Sequence, residues 1–190
     1  MDWFSLKIGA LLAALALPCT VPVQGSAQGT TPIADSDTGQ TEGQTDTQKR
    51  GSVTNLPLPR FVSMKASEGF VRRGPSQTHQ IDWVFRVRDT PLEITAEHGH
   101  WRRVRDREGA GGWMHYSLLS GTRTVINLSD MLEIKAKPDE KSLGVAQLEV
   151  GVVARILECR RDWCRIQTHG YRGWALKSHL WGVLADEILD

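Results

Sequence analysis

The stretch Trp101–Gly121, WRRVRDREGAGGWMHYSLLSG, returns in outline as Trp163–Gly182, WCRIQTHGYRGWALKSHLWG. Each copy contains a tryptophan, a β-branched residue three positions later, a charged or glycine-rich turn, the pair Gly-Trp, and a polar stretch ending in Leu-x-Gly. The opening tryptophans are 62 positions apart, and those of the two Gly-Trp pairs are 61 apart. A nearly constant offset of this size indicates a duplicated unit.

The apolar runs on both sides of these stretches are short and rich in Val, Ile and Trp, and Gly, Pro or charged turns separate them. No run keeps a helical period, so the sequence predicts an all-β protein. In Leu92–Glu97 (LEITAE) apolar and polar residues alternate, which predicts a strand with Ala96 in the core and Glu97 in solvent. Each unit has about sixty residues, close to the lower limit for an independent core, so we expect the two to pack together or to use cross-links.

The first unit resembles bacterial SH3-like (SH3b) domains, whose outline is V-R-x-x-P, later G-x-W and G-W-V, then a short helical turn and a leucine. It carries, in this order, Val71-Arg72-Arg73-Gly74-Pro75, Trp101, Gly112-Trp113 and Leu119. The second unit repeats the order with Ile134-Lys135-Ala136-Lys137-Pro138, Trp163, Gly173-Trp174 and Leu180. The resemblance covers about Arg60 to Val183 and implies two tandem SH3-like β barrels. Ile81–Phe85, in the long loop of the first unit, looks like an insertion that the second unit lacks.

The N-terminal residues predict an exported protein. Residues 3–17 are almost entirely apolar, the dense part is too short to span a bilayer, and Gly25-Ser26-Ala27 offers a small-x-Ala cleavage site. A short buried helix is the competing interpretation. We assign residues 1–27 to a signal peptide, 28–58 to a disordered linker, 59–123 and 124–184 to the two SH3-like domains, and 185–190 to a C-terminal tail. Behind a signal peptide, this arrangement is similar to tandem SH3-like periplasmic proteins of Gram-negative bacteria, which implies a periplasmic or secreted location.

Cys19 leaves with the signal, so Cys159 and Cys164 are the cysteines of the mature chain. If Arg161-Asp162 forms a two-residue turn, the two cysteines lie directly opposite each other, and export favours a disulfide. A redox dithiol, a Cys–His nucleophile with His169 or His179, and a free buried pair are the alternatives.

The same register creates a conflict within the predicted hairpin. Ile156 and Ile166 should both lie in the core. The register that places the two cysteines opposite each other nevertheless pairs Leu157, rather than Ile156, with Ile166. Bending of strands between the two sheets of a small barrel is one way to satisfy both the register of the cysteines and the burial of the two isoleucines.

Tryptophans and arginines are the candidate binding residues. Trp101 and Trp163 lie three positions before the β-branched residues Val104 and Ile166, so each ring faces away from the core and is partly exposed. Exposed Trp beside Arg is typical of a binding groove. The plainer interpretations are a core role for Trp113 and Trp174 and a solvated strand face for the arginines. In SH3-like folds the groove lies between the long first loop and the following hairpin turn, which implies that it gathers Trp83, Arg86, Trp101 and Trp113. The candidate ligand-binding residues are Trp83, Arg86, Trp101, Arg103, Trp113, Trp163 and Trp174.

Motifs of the common enzymes are absent from the sequence, including G-x-S-x-G, a phosphate-binding glycine loop and H-E-x-x-H. No spacing of His, Cys, Asp and Glu predicts a metal site, and no cofactor is expected. Nucleic acid is an unfavourable partner for an exported chain of net charge +1. We therefore expect a non-catalytic module of the cell envelope that recognises peptidoglycan stem peptides. The alternatives are a periplasmic adaptor that binds a partner envelope protein and a thiol enzyme.

Overall fold

A computed structural model of the chain describes residues 48–190. The predicted signal peptide and the predicted linker up to residue 47 lie outside the described residues. No helix in the described part is long and apolar enough to cross a membrane.

The first barrel is a seven-stranded antiparallel sheet. Its strands are β1 Arg60–Met64, β2 Gly69–Arg72, β3 Ile81–Phe85, β4 Pro91–His98, β5 Trp101–Arg105, β6 Gly111–His115 and β7 Leu119–Ser120. Their spatial order is β3-β2-β6-β5-β4-β1-β7, and a single 3₁₀ turn, Tyr116–Leu118, separates the last two strands in sequence.

The second barrel repeats this topology strand for strand. Its strands are β8 Thr124–Asn127, β9 Leu132–Lys135, β10 Gly144–Leu148, β11 Val153–Cys159, β12 Trp163–Thr168, β13 Tyr171–Leu176 and β14 Leu180–Trp181. They lie in the order β10-β9-β13-β12-β11-β8-β14, and a 3₁₀ turn, Lys177–His179, again precedes the last strand. The prediction of an all-β protein with two tandem SH3-like domains is confirmed. The prediction that Ile81–Phe85 is an insertion is wrong, because Gly144–Leu148 forms the same edge strand in the second barrel.

A β-bulge in the second barrel removes the register conflict of the cysteine hairpin. Cys159 pairs with Cys164, as predicted, and Ile156 pairs with Ile166. Leu157 is the additional residue between these two registers, so both isoleucines point into the core.

The first barrel carries a bulge at the same place. Ile94 pairs with Val104, Ala96 pairs with Arg103, and Thr95 is the additional residue. Because a shift of one residue exchanges the two faces of a strand, Glu97 turns inward, with a side chain that is 0% exposed. The prediction that Ala96 lies in the core and Glu97 in solvent is therefore wrong.

Each barrel encloses its own apolar core. In the first barrel the core residues are Leu58, Met64, Val71, Phe85, Leu92, Ile94, Val104 and Met114. In the second they are Val125, Ile134, Leu148, Ala154, Ile156, Cys159, Cys164, Ile166, Ala175 and Leu180.

The segment before the first strand is ordered and belongs to the first barrel. Arg50 and Pro57 form a β-bridge, and the Leu58 amide donates to the Lys49 carbonyl at 2.7 Å. Leu58 is 5% exposed and completes the core. Residues 48–58, which we assigned to the disordered linker because residues 28–58 contain few large apolar side chains, therefore pack against the first barrel.

The Glu97 carboxylate holds this segment in place. It accepts hydrogen bonds from the Val53 and Thr54 amides at 3.0 and 2.8 Å and from the Thr54 hydroxyl at 2.6 Å. The Arg60 guanidinium donates to the same carboxylate at 2.6 Å. Burial raises the pKa of Glu97, but the hydrogen bonds from Thr54, Arg60 and Val53 outweigh it and lower the pKa to about 2.

The two barrels place different cross-links at one position. Glu97 pairs with Arg102 across the hairpin of the first barrel, with Arg102 Nε 3.5 Å from the carboxylate. Cys159 and Cys164 form the equivalent pair in the second barrel and are joined by a disulfide, as predicted. Leu189 of the predicted tail forms a bridge to Cys159, so this tail packs against the second barrel.

Aromatic and polar contacts join the barrels. The rings of Phe61 and Trp181 meet edge to face with centroids 5.1 Å apart, and the Thr124 hydroxyl donates to the Asp89 carbonyl at 2.8 Å. Arg123, beside this contact, forms an ion pair with Glu187. Burial raises the pKa of Glu187, but hydrogen bonds from Arg123 and the Leu184 amide lower it below its usual value.

Gly182 is required where the last strand ends at this contact. Its φ is +119°, and an added Cβ would lie 2.5 Å from the Thr124 carbonyl oxygen and 3.2 Å from the Pro91 Cβ. We expect Gly182→Ala to lower the free energy of unfolding by roughly 1–2 kcal/mol, measured by urea denaturation. Gly170→Ala is the matched control, since its φ is +87° but nothing lies within 4 Å of the added Cβ. Equal losses for both variants would show that backbone conformation alone, without the close approach to Thr124 and Pro91, sets the cost.

Candidate functional site

Two tryptophans and an arginine share the outer surface of the first barrel. Trp101 and Arg103 alternate with the core residue Val104 along β5, and Arg103 pairs with Trp113 on β6. Trp113 pairs in turn with Arg72 on β2. Because directly opposed residues point to the same side of a sheet, these side chains form one surface, which we call the open face (Arg72, Trp101, Arg103 and Trp113).

The glycine before Trp113 positions the open face. An added Cβ on Gly112 would lie 2.7 Å from the Arg72 carbonyl oxygen and 2.9 Å from Val71 Cγ1. Only glycine permits β6 to cross β2 this closely, and the crossing brings Trp113 beside Arg72. The Gly-Trp pair is therefore a structural requirement of the site.

A shallow cavity of about 390 Å³ opens on this face. It is lined by Arg72, Arg73, Asp82, Arg103 and the Gly111–Trp113 segment. Arg73 pairs with Asp82 at 3.0 Å, and Arg72 donates to the His79 carbonyl at 2.6 Å. The ion pairs of residues 48–190 do not include Arg103. An exposed guanidinium beside indole rings can accept a carboxylate while the rings pack against its apolar part.

Histidines border the open face on the side of the hairpin turn. His98 and His115 both pair with Trp101 across the sheet. The His115 ring meets Trp101 edge to face at 5.5 Å, and the His98 ring meets Trp113 at 6.5 Å. Both tryptophans remain half-buried, with part of each ring available to a ligand.

The second barrel has the same four positions, but one of its two tryptophans is covered. Trp163, Arg165, Trp174 and Lys135 correspond by register to the open face. Trp174 is 7% exposed, and the Arg160 guanidinium lies 4.8 Å above its ring. Trp163 is half-buried, as its alternation with Ile166 predicts. We call this surface the closed face.

Two acidic residues account for the difference in charge. Glu158 pairs with Arg165 in register and forms an ion pair with Arg160 at 2.7 Å. Glu133 forms an ion pair with Lys135. The corresponding residues of the first barrel are Ala96, opposite Arg103, and Phe70, two residues before Arg72 and 43% exposed. Arg103 and Arg165 both lie outside the ion pairs of residues 48–190, but Arg165 has a carboxylate opposite it on the neighbouring strand, whereas Arg103 has Ala96.

The remaining predicted residues lie elsewhere. Trp83 pairs with the core residue Val71 and its ring lies 6.4 Å from that of Phe85, so it extends from the core side of the edge strand. Arg86 is exposed, with Nη2 4.0 Å from Glu68 Oε1. The structure brings Trp101, Arg103 and Trp113 together and leaves Trp83 and Arg86 outside the open face.

Arg72, Phe70 and Ala96 are the site residues that sequence reasoning missed. These residues could have been found by comparing the sequences of the two repeats position by position. Such a comparison pairs Phe70 with Glu133 and Ala96 with Glu158, but it needs the bulges to be placed first. Within residues 48–190 no group of three or more His, Cys, Asp or Glu side chains is arranged to hold a metal ion.

Comparison with known proteins gives one family and a distant structural likeness. The model of the bacterial SH3 domain matches residues 65–121 and 129–182. No curated protein sequence matches the chain. Among solved structures, the chain is similar to NlpC2 of Trichomonas vaginalis, with 15% identity over 65% of this chain and a TM-score of 0.30. NlpC1 of the same organism matches with 14% identity over 69% of this chain and a TM-score of 0.30, and the chain spans 48% of each of the two structures.

Proposed function

Because the chain belongs to the bacterial SH3 domain family, whose model matches both barrels, we propose that it is a non-catalytic binding module of the bacterial cell envelope. Its ligand is the stem peptide of peptidoglycan, and its binding surface is the open face. The predicted signal peptide supports this location, since it would deliver the protein to the compartment where peptidoglycan lies.

The observation that carries the proposal is the position of Arg103, which lies next to Trp101 on β5, opposite Trp113 on β6, and opposite Ala96 rather than a carboxylate on β4. Stem peptides offer free carboxylates together with short apolar side chains. Arg103 binds a carboxylate through two parallel N–H donors, and the two indole rings pack on either side of it. Arg72 supplies a second positive charge from the neighbouring strand. The closed face does not contribute, because Trp174 is buried, Lys135 and Arg160 already have acidic partners, and the Glu158 carboxylate lies opposite Arg165 in register.

The equivalent arginines of the two barrels provide a matched test. We expect Arg103→Ala to weaken retention of the purified chain on isolated sacculi by about tenfold, the value of one charge-assisted hydrogen bond. Arg165→Ala should leave retention unchanged, although it removes the same charge from the same register position. The measurement is co-sedimentation over a range of sacculus concentrations.

Two results would contradict the proposal. Sacculi that do not retain the native chain exclude wall binding, and equal losses for the two variants exclude a specific open face. Both arginines are exposed, so circular dichroism should confirm that both variants remain folded. Raised salt should weaken the binding of the native chain, because the contact is ionic.

A protein adaptor is the second candidate, and the edge strand of the first barrel favours it. β3 lies at the end of the sheet order, and its residues Ile81 and Trp83 are 41% and 49% exposed. An exposed apolar edge strand is a surface to which a partner strand can pair. A chain that is folded but not retained by sacculi would favour this candidate.

A further inference from the structure

A second cleft lies between the two barrels, away from the open face. Its volume is about 670 Å³. The first barrel contributes Val87–Asp89, the connection between the barrels contributes Thr122 and Thr124, and the second barrel contributes residues 151–153, Arg155 and residues 167–169. We call this space the inter-barrel cleft.

Two arginines, one from each barrel, give the cleft its charge. Arg88 and Arg155 are both exposed, and neither takes part in an ion pair among residues 48–190. Asp89 is the only acidic side chain among the described residues that line the cleft, and His169 lies on the side of the second barrel. Two guanidinium groups against one carboxylate leave the concave site with a surplus of positive charge, which favours an anionic ligand.

Hydrogen bonds fix the walls of the cleft in both barrels. Arg155 lies on β11, where it pairs with Thr124 on one side and Gln167 on the other. The loop that carries Arg88 is fixed on both sides: the Thr90 hydroxyl donates to the Val87 carbonyl at 2.7 Å, and the Asp89 amide donates to the Met64 carbonyl at 2.9 Å. The walls are therefore set before a ligand arrives, which lowers the entropic cost of binding.

Unusual backbone conformations concentrate at the same place. Asp89 and His169 have φ values of +62° and +47°, and the other non-glycine residues with positive φ in the described chain are Asn55 and Met131. Such conformations cost free energy and are common at ligand sites. The surrounding contacts hold Asp89, since Thr124 donates to its carbonyl at 2.8 Å.

We propose that the inter-barrel cleft binds a short acidic peptide through two carboxylates, one on Arg88 and one on Arg155. Thr122 and Gln167 offer hydrogen bonds to the peptide amides. Val87, which is 60% exposed, and Val152 provide apolar contact for side chains between the two acids. The volume of the cleft lies in the range of small-ligand sites. This site is separate from the open face and does not depend on the proposed function.

The test is a titration of the full chain, labelled with ¹⁵N, with acetylated tetraglutamate, and with acetylated tetraglutamine as the neutral control. We expect the charged peptide to shift the amide resonances of Gly151, Gln167 and His169, and the neutral peptide to leave them in place. Arg88→Gln and Arg155→Gln should each weaken binding by about tenfold, while Arg103→Gln should not weaken it. The two proposals fail separately, because binding at the cleft is measured by the resonances of Gly151, Gln167 and His169, whereas the proposed function is measured by the effect of Arg103→Ala on retention by sacculi.

Three outcomes would overturn the proposal. The first is a titration in which the resonances of the cleft do not move. The second is equal binding of the charged and neutral peptides, or binding that survives in the Arg88→Gln, Arg155→Gln double variant. The third is tighter binding of tetragalacturonate than of the peptide, which would assign the cleft to acidic sugars.

Discussion

Replacing Glu97 by glutamine is expected to lower the free energy of unfolding of the first barrel by about 3 kcal/mol, the loss typical of breaking a buried ion pair. The carboxylate accepts bonds from the N-terminal segment and from Arg60, and it lies 3.5 Å from Arg102 Nε. The glutamine side chain keeps one acceptor oxygen and has an NH₂ group in place of the other. The two N–H donors of this group then face groups that are themselves hydrogen-bond donors. Urea denaturation followed by tryptophan fluorescence and circular dichroism measures the loss.

Glu93→Gln is the matched control for this variant. Glu93 lies on the same strand and its side chain is 7% exposed, but its ion-pair partner Arg105 is 56% exposed. Solvent can compensate Arg105 when the pair is broken, so we expect a loss of about 1 kcal/mol or less. Equal losses for Glu93→Gln and Glu97→Gln would contradict the role of Glu97 as the residue that fixes the N-terminal segment.

The Glu97 carboxylate should also make the first barrel sensitive to acid. Its pKa in the folded state is about 2, below the value of about 4.3 for an unperturbed glutamate. The unfolded state therefore binds more protons between these pH values. The stability that the Glu97 carboxylate contributes is present above about pH 4.3 and is lost as the pH falls toward 2. Unfolding curves at pH 6, 4 and 2.5 should show a smaller decline for Glu97→Gln than for the native chain. The decline in stability that remains in Glu97→Gln includes the contribution of Glu187, whose pKa is lowered as well.

The repeat and the turn residues made most of the fold predictable. The two repeats quoted from the sequence begin with equivalent strands, Trp101–Arg105 and Trp163–Thr168, and a 3₁₀ turn precedes the leucine in both barrels, as the resemblance implies. These elements carry strong local signals, namely alternation, glycine or charged turns, and a hairpin of two residues between Arg160 and Trp163. The register of the cysteines follows directly from that turn.

The bulges at Thr95 and Leu157 could not be predicted from alternation. A single additional residue in a strand leaves no mark in composition, yet it reverses the faces of every residue beyond it. Glu97, which alternation placed in solvent, is buried for this reason. The sequence still contained an indirect sign in the second barrel, because Ile156 and Cys159 cannot both face inward without a bulge between them.

The candidate site was predictable only in part, since burial of a tryptophan depends on residues from other strands. Trp113 and Trp174 follow glycine in the same motif, and their local sequence does not distinguish them. Arg160, which is held by an ion pair with Glu158, covers Trp174, whereas His98 and Ala96 at the equivalent positions leave Trp113 half-buried. Trp83 was placed with the open face by analogy, and its pairing with Val71 shows that strand register decides the side.

Loss of the disulfide is the second large expected effect. Cys159→Ala with Cys164→Ala should lower the free energy of unfolding of the second barrel by about 2 kcal/mol, the chain-entropy value for a loop this short. The serine pair should cost more, because both sulfur positions are at most 1% exposed and would hold hydroxyl groups in an apolar core. Urea denaturation of the two double variants, and of the native chain with and without reductant, measures these losses.

The first barrel provides the internal control for this prediction. It has the Glu97–Arg102 pair where the second has the disulfide, so reductant should leave the native chain's first-barrel transition unchanged while it weakens the second. An unchanged second transition after reduction would show that the Leu189 bridge and the core suffice without the cross-link. A core of about sixty residues contributes only about 3–5 kcal/mol, so a loss of about 2 kcal/mol would leave a margin of about 1–3 kcal/mol and raise the unfolded fraction of the reduced barrel by more than about tenfold. An oxidising compartment, such as the one to which the predicted signal peptide would deliver the protein, would preserve the cross-link and with it the larger margin.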